Sequence, residues 1–299
     1  MLPRPSLPRR RAMLLLAFCA SCWSIAGVLT RRLEHTASLD VTFWRSFFCA
    51  ATMLVLLVAQ QRGNPLPTIA RMGWPGLVSG AMWGTMFTCF MIALTKTSVA
   101  NALVVMSVSP LLTALLGRAV LGTRLGAFDW VATLLAGAGI AWMVRDGVDG
   151  DGRLGMAIAF CVPIASSVQI VVLKRLQAQV DLAPAVLVGA LLSCAFTLAL
   201  AWPVPLHAAD LPILALLGSV QLAIPCFLLV RAVRPLAPHE VALIALLEVV
   251  FGPIWTWLWA GEVIPAATLQ GGFVVLAALV LNALLGRAAP VAPERAAPA

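Results

Sequence analysis

The feature that most constrains this chain is a series of apolar runs, each about as long as a bilayer is thick, divided by short clusters of charge. Seven runs hold no charged residue: 12–30, 72–95, 97–117, 154–173, 182–209, 211–230 and 263–286. At 1.5 Å per residue, a helix of about 20 apolar residues crosses roughly 30 Å of hydrocarbon. Three more runs complete the set, 41–59 with Arg45 inside it, 125–144 with Asp129 near its start, and 241–261 with Glu248 inside it. The expectation is an all-α integral membrane protein of ten transmembrane helices. Composition agrees, because 62% of the 299 residues are hydrophobic and 11% charged, against about 25% charged in a soluble domain.

Basic residues concentrate in loops that stay in the cytoplasm. With the N-terminus inside, fourteen of the twenty Lys and Arg residues fall on the inner side: Arg4, Arg9, Arg10, Arg11, Arg62, Arg71, Arg118, Arg124, Lys174, Arg175, Arg231, Arg234, Arg287 and Arg295. Both termini are therefore expected in the cytoplasm, at the inner (plasma) membrane of a bacterial-type cell. The net charge of +8 reads as a topology signal, and no nucleic-acid partner is implied. Arg9 to Arg11 ahead of an apolar run look like a signal peptide, but the internal repeat needs that first span to be kept.

All seven cysteines lie inside expected spans, where thiols pack as small apolar groups. Cys19 and Cys22 form a C-x-x-C without a second ligand pair, so no metal or cofactor is expected.

The two halves resemble each other. A shift of 142 sets Ala17, Phe18, Cys19 and Ser24 on Ala159, Phe160, Cys161 and Ser166, and a shift of 139 sets Gly122 on Gly261. Five spans per half is an odd number, so the second half must enter the membrane in the opposite sense. Inverted repeats of this kind place a binding site near mid-membrane between them and support alternating access. The expected layout is a cytoplasmic segment 1–11, a first repeat 12–145, an extracytoplasmic linker 146–153, a second repeat 154–286 and a disordered tail 287–299. Asp149, Asp151 and Gly152 in the linker echo a calcium loop too faintly to count as one.

The stretch from Ala100, ANALVVMSVSPLLTALLG, and its counterpart LLEVVFGP from Leu246, closed by WAGEVI from Trp259, resemble the EamA pattern. The chain is identified as a member of the drug/metabolite transporter (DMT) superfamily, in which duplicated five-helix EamA domains make ten helices. It departs from the pattern at Thr123, where the family usually shows Glu, and at Glu248-Val249, where a Glu-Pro step is frequent and the proline has moved to Pro253. The resemblance implies a transporter and export of amino acids or related metabolites.

Candidate site residues are the polar groups within spans. Glu248 is the only acidic residue expected at mid-membrane, where a charge costs about 2.5–3.5 kcal/mol or more. Helical spacing puts it on a stripe with Trp255. It is read as a contact for an amino group, as a proton-coupling site, or as a structural carboxyl bonded to its neighbours. Its counterpart in the first half is Ser109. Trp23, Ser24, Trp83, Thr85, Thr88, Ser109, Ser166, Gln169 and Gln221 are further candidates for substrate contact, each with a structural alternative. Arg45 is a secondary candidate: snorkelling to the outer interface or helix packing is set against pairing with an acidic substrate or Glu248. Pro110, Pro163, Pro225 and Pro253 are candidate hinges, and Gly76, Gly80 and Gly84 form a flat packing stripe.

The function expected is a secondary transporter of a small polar metabolite, with no Walker A motif for ATP. A non-transporting sensor or assembly protein, or an intramembrane enzyme, are the alternatives. No catalytic residues are assigned, since His35, His207 and His239 sit in loops or at span ends. The expected partners are a small-molecule solute and membrane lipid, with a proton as coupling ion and a second copy of the chain as options.

Overall fold

The computed structural model describes residues 7–34, 37–61, 63–122, 130, 131, 134, 135, 137–139, 142, 150–176, 181–233, 235, 236, 241, 244, 245, 247–261, 263, 264 and 266–285. The elements among them are helices: α1 (Arg9–Ser24), α2 (Ala26–Thr30), α3 (Ser38–Gln61), α4 (Leu66–Arg71), α5 (Gly73–Lys96), α6 (Val99–Met106) and α7 (Ser109–Leu121). There follow α8 (Gly150–Leu176), α9 (Pro184–Ala201), α10 (Leu211–Leu216), a π-helical turn (Leu217–Ala223), α11 (Ile224–Ala232), α12 (Leu247–Ala260) and α13 (Ala266–Leu285). Helices are the open form available to a chain in lipid, because each satisfies its own backbone groups.

Among the described residues, seven helices are long and apolar enough to cross a membrane: Arg9–Thr30, Ser38–Gln61, Gly73–Lys96, Val99–Leu121, Gly152–Arg175, Pro184–Ala201 and Leu211–Ala232. These are the first four and the sixth to eighth of the expected spans. The fifth lies mostly outside the described residues, with Thr123 and Asp129, while α12 and α13 occupy the ninth and tenth. Helix α8 already begins at Gly150, inside the segment read as linker, since a helix once started adds a backbone hydrogen bond per residue whatever the side chain.

The seams are built from small residues and hydroxyls. A Cβ on Gly189 of α9 would lie 2.4 Å from the Cβ of Trp83 on α5, and one on Gly84 would lie 3.1 Å from the carbonyl of Gly189. Gly80 meets Val188, so two glycines of the stripe let α5 and α9 touch backbone to backbone, whereas Gly76 lies against Met72. Ser193 ties three helices together, accepting from Ser46 Oγ of α3 and Thr88 Oγ1 of α5 at 2.9 Å each.

The contacts recur when the halves are exchanged. Helix α5 packs on α8 as α1 packs on α11, and α7 packs on α8 as α1 packs on α12. Likewise α5 packs on α9 as α3 packs on the π-helical turn, while α3 and α9 pack on each other. Helix ends match too. Gly122 after α7 and Gly261 after α12 both have φ of +66°, the left-handed stop that glycine alone adopts without a Cβ penalty.

Among the described residues, three spans are interrupted. The first breaks at Ile25 between α1 and α2, and the fourth breaks at Ser107 and Val108. Pro110 stands in the first turn of α7, where its missing N–H costs nothing and its ring prevents continuation from Met106. In the eighth span the π-helical turn ends just before Pro225, whose ring would collide with the carbonyl of Gln221 in a regular α-helix. Widening the turn relieves that collision. Pro163 and Pro253 sit inside α8 and α12 instead.

Large apolar side chains such as Trp74, Val263 and Phe273 cover the outside. A surface of this kind suits lipid and would be an aggregation hazard in water.

Candidate functional site

Where the interrupted spans meet, the bundle surrounds a cavity of about 910 Å³, the open space at its mouth included. Arg45, Gln221 and Glu248 line it, together with Ser109, Ser166, Gln169 and the indoles of Trp23 and Trp83. Both halves contribute to the wall. Pro163 reaches it as well.

Arg45 does not snorkel. It lies about two turns into α3 and is 2% exposed, because its face of the helix, continued by Cys49 and Met53, is turned inward against the π-helical turn. Gly218 of that turn permits the approach: a Cβ there would lie 2.5 Å from the carbonyl of Arg45. Arg45 Nε and Nη2 donate to Gln221 Oε1 at 3.2 and 3.0 Å. Gln221 Nε2 in turn donates to the Trp23 carbonyl at 3.2 Å, just before the break at Ile25. The guanidinium lies 5.8 Å from the centre of the Phe90 ring, and its Nη1 has no hydrogen-bond partner among the described residues.

Glu248 of α12 is 8% exposed and lines the same cavity. Arg45 lines the cavity as well, yet among the described residues no ion pair joins the two. Burying either charge is strongly unfavourable unless it finds a partner. The arrangement is therefore a guanidinium and a carboxyl group lining one cavity, each short of a full complement of bonds.

The other polar groups are better satisfied. Gln169 bridges to α5, its amide nitrogen donating to the Ser79 carbonyl at 3.3 Å and its oxygen accepting from Trp83 Nε1 at 2.9 Å. Ser109 Oγ donates to Ser166 Oγ at 3.4 Å. Beside it, Thr113 Oγ1 donates to Ser167 Oγ at 3.0 Å, stitching α7 to α8.

Four sequence candidates lie elsewhere. Trp255 is about 10 Å along its helix from Glu248, and its Nε1 donates to Ser24 Oγ at 2.9 Å. Its ring stacks on Trp259 with centroids 4.9 Å apart. Thr85 Oγ1 bonds back to the Ala81 carbonyl of its own helix, and Thr88 serves the Ser193 seam. The apolar wall, including Met86, Phe87, Phe90, Met106 and Leu229, was not singled out by sequence. No signal could have found it, since such residues face cavity, core or lipid with the same local pattern.

Comparison with known proteins gives a consistent picture. The pseudopaline exporters of Pseudomonas aeruginosa strains UCBPP-PA14 and PAO1 are each 23% identical over 276 residues, covering 91% of this chain and 95% of the relative. A solved crystal structure superimposes with a TM-score of 0.69 at 21% identity, covering 93% of this chain and 98% of the other, which shows a shared fold. The EamA-like transporter family matches residues 10–145 and 153–284. With both halves accounted for and multiple apolar helices crossing the bundle, this chain belongs to the EamA-like transporter family and is a multi-pass membrane protein.

Proposed function

We propose that this protein is a secondary transporter that exports a small polar metabolite, an amino acid or related compound, across the inner membrane by alternating access. The observation that carries the reading is the cavity between the halves, into which the first half sends Arg45 and the second Glu248 without the two forming an ion pair. A protein that only needed stability would gain from joining or removing such charges. A binding site gains from keeping them apart, because a solute carrying both signs, or one, then completes their bonding. The direction is drawn from the relatives named as pseudopaline exporters.

The interruptions at Ile25, Ser107–Val108 and residues 217–223 surround the cavity, and we take Pro110 and Pro225 as the hinges about which the halves rock. Broken helices near mid-membrane are the arrangement in which transporters place their sites. Both termini lie in the cytoplasm in this reading, and Glu248 is the carboxyl through which a proton would couple.

The test is flux of a panel of amino acids and related metabolites in proteoliposomes, wild type beside Glu248→Gln, at several pH values. Flux of a panel member through wild type, reduced at least about ten-fold in Glu248→Gln as loss of one charge-assisted contact requires, is the expected result. Absence of flux for every solute sinks the transporter reading. Equal flux in both proteins at every pH removes Glu248 from the site.

A further inference from the structure

The incomplete bonding of Arg45 says more about the solute than the presence of a charge does. A guanidinium is a planar fork of five N–H donors whose spacing matches a carboxylate. Here two of its nitrogens converge on a single neutral oxygen, Gln221 Oε1, which orients the fork without neutralising it. Gln221 is itself anchored to the Trp23 carbonyl and rides on the π-helical turn, a widened turn of the kind that recurs at functional sites. That side of Arg45 is thus occupied and held.

The remaining nitrogen, Nη1, is buried and without a partner among the described residues, on a side chain that is 2% exposed and lines the cavity. A buried donor left in this state carries a desolvation penalty that an incoming acceptor removes. Glu248 is the internal acceptor that could have done so, and no ion pair forms. A solute carboxylate that reaches Nη1 completes the bonding of Arg45. The apolar remainder of the cavity fits a solute with an apolar body.

We infer that Arg45 Nη1 receives a carboxylate of the transported solute, with Gln221 as the residue that positions the guanidinium. The inference rests on the transport reading above and names the chemical group that the site selects. The shared chemistry of a carboxylate and a small inorganic anion is separated by experiment.

Thermal unfolding of the purified full-length protein in detergent is followed with 4-methylpentanoate, with 4-methylpentanamide, which has the same body without the charge, and with chloride. The carboxylate is expected to raise the midpoint saturably, and the amide and chloride to leave it in place. Arg45→Gln is expected to weaken carboxylate binding about ten- to hundred-fold, the range for a hydrogen bond to a charged group. Arg45→Lys retains part of the affinity. Gln221→Leu lowers the preference for carboxylate over amide, a ratio that a purely structural role would not move.

If Arg45→Gln does not fold, Arg45→Lys and Gln221→Leu carry the test. Equal shifts with carboxylate and amide, or unchanged carboxylate affinity in the folded Arg45 variants, overturn the inference. A chloride shift as large as that of carboxylate reassigns the site to an inorganic anion and overturns it too. Flux of a neutral or cationic solute with no carboxylate response overturns this inference while leaving transport standing. Arg45-dependent carboxylate binding without flux of any solute does the reverse.

Discussion

Helices α7 and α12 hold corresponding places in the two halves, pack on α8 and α1 respectively, and lead to glycines with the same φ of +66°. At the cavity, however, one presents Ser109 and the other Glu248. The hydroxyl is absorbed into a seam with Ser166 at 3.4 Å, while the carboxyl makes no hydrogen bond among the described residues. The lesson is that duplication preserved what makes helices pack and cap, and released the chemistry of the wall. Arg45 follows the same rule from the opposite side, since α9, which pairs with α3, has no charged residue at all.

The strongest way to break this comparison is to make the halves chemically alike. Glu248→Ser installs the Ser109 solution in both, and solute flux in proteoliposomes should fall at least about ten-fold, the loss of one charge-assisted contact, with the thermal midpoint unchanged or raised. Preserved flux would show that the chemical asymmetry is incidental. The packing side of the comparison is tested next by Gly189→Leu. Its side chain must displace α5 from α9, and overpacking of that kind costs about 1–3 kcal/mol, read as a lower unfolding midpoint in detergent. Gly80→Leu, on the facing helix against Val188, should behave likewise.

Smaller effects sharpen the match between the halves. Nothing lies within 4 Å of an added Cβ at Gly122 or Gly261, so Gly122→Ala and Gly261→Ala should each cost about 1–2 kcal/mol from left-handed strain alone. Unequal losses would mean that the two stops are not equivalent. Ser46→Ala removes one of the two donors to Ser193 Oγ, and the loss should be the smallest, about 0.6 kcal/mol, the mean for one interhelical hydrogen bond in a membrane.

Much of this was legible in the order of residues. Among the described residues, seven of the expected spans reappear as helices long and apolar enough to cross a membrane, because span length and apolarity are local quantities set by bilayer thickness. The site was legible only in part. Glu248, Trp23, Trp83, Ser109, Ser166, Gln169 and Gln221 all line the cavity, since polar groups within spans need a reason to be there. Trp255, Thr88 and Ser24 satisfy the same sequence criterion and lie on seams, and Thr85 bonds back to its own helix.

The sequence by itself determined the apolar spans and the duplication that sets Gly122 on Gly261, because each depends on apolarity or spacing along the chain. Only the tertiary structure decided which way each polar face turns. Arg45 shows the difference most clearly. A long cation near a span end reads as a snorkelling side chain, but the inward turn of α3 against Gly218 and the widened turn before Pro225 bring Gln221 to it from 176 residues away. Such a meeting depends on how several helices pack at once, and no local pattern records it.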